Sequence, residues 1–137
     1  MKKTLFILLI ASAFCGCKNA NKDAEKSAAM KDVMAIHEKV MDVDGQVIAN
    51  RMKLDTLLKQ TELASKDTAE MLKKKLSDAE DSMENWMHHF DYEQKGKSDD
   101  EVISYMKEQK KLITAIDSQL NVAVAESNQY LKKIKSK

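Results

Sequence analysis

From Met30 to Leu58, apolar residues recur at the spacing of one face of an α-helix. At 100° per residue, Val33, Val40, Val47 and Leu58 share a stripe with Met30, Met34, Met41 and Ile48. His37 and Asp44 fall near the middle of that stripe, and Arg51 follows one heptad after Asp44. The first helix is expected from about Ser27 to Thr61. Gly45 lies inside it, at a cost of about 1 kcal/mol relative to alanine. Polar residues from Thr61 to Thr68 interrupt the stripe. Asp67 with Glu70 three residues on then forms a capping pattern that restarts a helix.

The second helix is expected from Asp67 to Lys95, with Leu72, Leu76, Ala79, Met83, Trp86, Met87 and Phe90 on one face. Lys95-Gly96-Lys97 is the clearest turn in the chain. Ser98 and Glu101 then have the spacing of a capping box for a third helix. That helix carries the longest clean stripe: Val102, Met106, Ile113, Ile116, Leu120, Val124, Leu131 and Ile134. It ends in Lys132, Lys133, Lys135 and Lys137, which suit a helix C-terminus. Three such stripes must bury one another. The expected fold is therefore all-α: an antiparallel, coiled-coil-like three-helix bundle over residues 28–137. A longer rod that dimerises through the same stripes is the second architecture the pattern allows.

Composition agrees with long helices. The chain has no proline, three glycines, 33% charged residues and 5% aromatics. The net charge is +1. Without Lys2 and Lys3, 21 basic residues face 22 acidic ones, and no basic face of the kind that binds nucleic acid stands out.

Residues 1–16 read as an export leader. Lys2 and Lys3 form a basic start, and Leu5 to Ala13 form an apolar stretch well short of the roughly 20 residues that span a bilayer. Phe14-Cys15-Gly16-Cys17 then resembles a bacterial lipoprotein processing site, with Cys17 as the residue to be acylated. Ala11-Ser12-Ala13 is the rival site, for ordinary signal peptidase. Acylation of Cys17 would remove Cys15 with the leader and leave no free thiol. It would also anchor the chain, at about 0.8 kcal/mol per buried methylene. Residues 17–27 are expected to be the lipidated cysteine and a flexible polar tether.

Folding the turns as predicted fixes a register. Met34, His37, Met41, Met87, Phe90, Tyr105 and Met106 would gather at one end of the bundle. Asp44 would sit level with Met83 and Gln109, and Arg51 level with Ala79 near Asp117. The first reading of these residues is structural. The methionines pack, and Asp44, Gln109 and Arg51 form a buried polar layer that fixes register. The sharper alternative is a Cu(I) site made by Met34, His37, Met41, Met87 and Met106, since thioether and imidazole ligands suit a soft ion. His88 and His89 point away from the stripe. His89 and Glu93 have the i,i+4 spacing of a surface zinc pair. Haem held by His37 and a methionine is a remote third option, and no C-x-x-C-H is present. Nor is there a phosphate loop, an H-E-x-x-H or a G-x-S-x-G, and no carboxylate pair shares an apolar face, so no enzyme is expected.

Met34-Ala35-Ile36-His37-Glu38-Lys39-Val40-Met41 and Trp86-Met87-His88-His89-Phe90 resemble segments of small helical lipoproteins of Bacteroidota-type bacteria. Some of these carry the label "viral A-type inclusion protein". The family pattern continues with proline where this chain has Asp42-Val43-Asp44-Gly45. The resemblance implies lipidation and a helical domain on the periplasmic face or the outer-membrane surface. It implies no activity for any named residue. The expected function is a membrane-anchored binding or scaffold module of the cell envelope, engaging an envelope protein and able to self-associate. Copper binding is the alternative.

Overall fold

The computed structural model describes residues 17–60 and 66–136. The expected leader, residues 1–16, lies outside them. The described chain forms helix α1 (Cys17–Leu58), helix α2 (Lys66–His89) and helix α3 (Asp99–Lys135). All three pack on one another as a three-helix bundle. At 1.5 Å per residue, α1 and α3 are about 63 and 55 Å long, and α2 only about 36 Å.

The core is written in heptads. Val33, Val40, Val47 and Leu54, each seven residues from the last, are fully buried on α1. Ala69, Leu72, Leu76, Ala79, Met83 and Trp86 do the same on α2 with alternating steps of three and four. Met106, Ile113, Leu120 and Ser127 continue the pattern on α3. This is the spacing of knobs-into-holes packing. Leu54 therefore takes the core position on α1, while Leu58 is only half-buried. Met41 and Met87, expected on the core stripes, are exposed.

Helices α1 and α3 run parallel and in register. Lys39 pairs with Asp117 at 2.7 Å and Lys110 with Asp32 at 2.6 Å, each 78 residues apart in sequence. Helix α2 runs antiparallel to both: Arg51 pairs with Glu80 and Asp55 with Lys73 across α1 and α2, and Lys75 with Glu126 across α2 and α3.

Three expectations need correction. First, residues 17–27 are already part of α1 and not a flexible tether. The segment has no proline or glycine, and its lysines, alanines and glutamate are good helix formers. Ion pairs with the far side of the chain dock it: Lys22 to Asp100 at 2.6 Å, Lys26 to Asp99 at 2.8 Å, and Lys107 to Glu25 at 3.0 Å.

Second, α2 stops at His89, six residues before Lys95. Asp91 ends it by competing for the backbone. Its Oδ1 accepts from the Glu93 and Gln94 N–H groups at 3.2 and 3.1 Å, and its own N–H donates to the Tyr105 hydroxyl at 2.8 Å. Gln94 takes a left-handed backbone (φ 49°) and is buried, and Gly96 (φ 78°) completes the reversal. The Ser98 capping box forms as expected, with Ser98 N–H donating to Glu101 Oε2 at 2.8 Å.

Third, the register of α1 on α3 differs. The expected alignment put Asp44 beside Gln109 and Arg51 beside Asp117, offsets of 65 and 66 residues, against the observed 78. Helix α3 keeps Tyr105 level with Phe90 of α2, 6.1 Å apart, so the change lies between α1 and α3, where Asn50 meets Ser127.

Candidate functional site

The residues expected to hold a soft metal do not converge as a set. Met106 is fully buried in the core. His37 is half-buried and sits at the head of a file of rings. Its centroid lies 5.9 Å from Trp86, which stacks on Phe90 at 4.8 Å, which in turn lies 6.1 Å from Tyr105. The His37 Nδ1 atom is buried and makes no hydrogen bond. Trp86 Nε1 donates to Gln109 Oε1 at 2.8 Å, and Lys97 Nζ sits 4.8 Å above the Tyr105 ring. The file ties α1, α2, the connector and α3 together.

Met41 and Met87 share a surface. They line an open groove of about 350 Å³ between α1 and α2, together with Met83, Asp44, Glu80, Glu84 and His88. Met34, His37 and Met106 do not line it. His88 Nε2 lies 3.5 Å from Glu84. Among the described residues, no group of three His, Cys, Asp or Glu side chains is arranged to hold a metal ion. The expected His89–Glu93 pair is broken, because the helix ends between them: His89 Nδ1 contacts the Asn85 carbonyl at 2.7 Å and Glu93 pairs with Lys95.

The expected polar layer of Asp44, Gln109 and Arg51 is dispersed. Gln109 serves Trp86, Arg51 pairs with Glu80, and Asp44 lines the groove. A different layer takes its place. Asn50, fully buried on α1, donates from Nδ2 to Ser127 Oγ at 2.8 Å and to Asn128 Oδ1 at 2.9 Å. Ser127, also fully buried, donates on to the Val124 carbonyl at 3.0 Å. Asn50 Oδ1 is left buried without a partner, a cost of about 1–3 kcal/mol. The signal for Asn50 was present in the sequence. Ile36, Val43, Asn50 and Leu57 are a second heptad row beside Val33, Val40, Val47 and Leu54.

Charge is organised at the end of the bundle where α1 and α3 begin. The hydrogen bond from Lys26 holds the Asp99 carboxyl below its ordinary range, and the Ser98 hydroxyl and N–H do the same for Glu101. Asp100 and Asp99 in turn raise Lys22 and Lys26. Three acids in the first turn of α3 also suit its helix dipole.

No helix among the described residues is long and apolar enough to cross a membrane. No protein-family model, curated protein or solved structure matches the chain.

Proposed function

We propose that this chain is a lipid-anchored, non-catalytic helical module that binds or scaffolds other components of the cell envelope. The observation that carries the reading is that residues 17–27, directly after the leader and its acylation motif, are helix continuous with the bundle. Anchor and bundle are then one continuous element, docked by Lys22, Lys26 and Glu25 onto the start of α3. The rod is held at the membrane with no slack. Large apolar side chains stand on its outside, among them Met41, Ile48, Met52, Leu112 and Val122. Such exposed apolar positions on a rigid helical surface suit contact with other helices. Replacing Cys17 with alanine tests the anchor: the variant should leave the membrane fraction. If it stays there through a salt wash, the anchored reading fails.

A second reading has one observation of its own. Met41, Met83, Met87 and His88 share a groove, so thioether and imidazole donors are gathered after all, though not the set expected from the sequence. In this reading the chain binds Cu(I). Titration with Cu(I) should show uptake that Met41→Leu and Met87→Leu each weaken. Uptake unchanged in both variants removes the groove as the site.

A further inference from the structure

Gly45 sits inside a 42-residue helix, where glycine is a poorer helix former than alanine. Nothing within this chain asks for it. Its backbone is helical with no positive φ, and a Cβ built there meets nothing within 4 Å. Met41, Gly45, Ile48 and Met52 are spaced by four, three and four residues, the spacing of a coiled-coil seam. At 100° per residue they fall within about 60° of one another, on the side of α1 away from Val40 and Val47. Met41, Ile48 and Met52 are 42, 44 and 65% exposed. The helix thus carries a second, outward seam with a notch at its centre.

We infer that this seam pairs with the same seam of a second copy, antiparallel, with Ile48 of each copy filling the notch over Gly45 of the other. In that alignment Met41 faces Met52 at both ends. The charges beside the seam choose the partner and its direction. Asp42 and Glu38 precede Gly45 on one flank, and Lys53 follows it on the same flank. None of the three has an ion-pair partner among the described residues. An antiparallel pair brings each flank against itself reversed, so Asp42 and Glu38 of one copy meet Lys53 of the other. A parallel pair instead sets Asp42 against Asp44, acid on acid, and leaves two glycines facing across an unfilled gap. Opposite charges across a helical seam favour one alignment and like charges penalise the other.

The inference stands whether or not Cys17 is acylated. If it is, the two Cys17 ends lie at opposite poles of the pair, about 90 Å apart. Two anchors so placed would lay the pair along a bilayer instead of raising it as a post.

Cysteine cross-linking of the full-length chain in cells tests both the pairing and its direction. The double variant Met41→Cys/Met52→Cys should form an intermolecular disulfide under mild oxidation, beyond the wild-type background from Cys15 and Cys17. Each single variant should not. In the antiparallel pair, like positions lie about 16 Å apart along the axis, too far for a disulfide. Adding Gly45→Leu to the double variant should abolish the cross-link while raising the melting temperature, because leucine is the better helix former. Cross-linking of the single variants would overturn the antiparallel arrangement. No cross-link in the double variant, or one that Gly45→Leu leaves intact, would overturn the seam itself.

Discussion

Asn50 of α1 and Ser127 of α3 meet inside the bundle, 2.8 Å apart and both fully buried. They occupy heptad positions that their neighbours fill with valine, leucine and isoleucine. A layer of this kind adds little net stability, because Asn50 Oδ1 stays unpaired. Its effect is to mark one alignment of α1 on α3, since any other slides Asn50 against an apolar layer.

Two substitutions at Asn50 should therefore diverge. Asn50→Leu removes the orphaned oxygen and leaves the denaturant midpoint unchanged or higher. Asn50→Asp loses both donated hydrogen bonds and buries a charge, and should cost about 3 kcal/mol or more. Equal losses for the two in urea unfolding would mean the site tolerates no change of shape, and the register argument would fail.

The heptad row on α1 makes a second comparison. Leu54→Ala opens a cavity in the fully buried core and should cost about 2–5 kcal/mol. Leu58→Ala, at a half-buried position four residues on, should cost clearly less. The reverse order would restore Leu58 to the core stripe and displace the heptad reading.

Tyr105 holds the connector by accepting the Asp91 N–H at 2.8 Å. Removal of the hydroxyl in Tyr105→Phe should cost about 1 kcal/mol. Its clearest sign is faster amide exchange at Asp91. Unchanged exchange there would show that the contact does not fix the end of α2.

Acid should loosen the shared start of α1 and α3 first. Asp99 is held below its ordinary pKa by Lys26, and Glu101 by Ser98. Both bind fewer protons folded than unfolded. The stability they add is thus present above the usual carboxylate pKa near 4, and is lost as pH falls through their lowered folded values. Protection factors for amides 20–27 should drop between about pH 5 and about pH 3 while those in α2 hold. A uniform drop along all three helices would indicate global acid unfolding instead.

The three helices could be read from sequence because each stripe, cap and turn is local. Ser98, Glu101 and Gly96 sit within one short stretch, and their chemistry needs nothing distant. The helical state of residues 17–27 could not be read that way. Lys22 and Lys26 look solvated until Asp100 and Asp99, far along the chain, are brought beside them. The register of α1 on α3 is likewise set by residues far apart in sequence, Asn50 with Ser127 and Lys39 with Asp117. Asn50 was within reach, since a period of 3.5 residues puts it in the core row. At 3.6 residues per turn the stripe drifts instead toward Met41, Ile48 and Leu58, and the first two of these prove to be surface residues.

The anchored reading depends on what happens at Cys17, and the mass of the N-terminal peptide of the membrane-extracted protein tests it most directly. The account predicts a peptide that begins at Cys17 and carries the added mass of acyl chains. A peptide that begins at Phe14 with both cysteines unmodified would mean cleavage after Ala11-Ser12-Ala13. The chain would then be exported without a lipid, and the anchored module would be contradicted.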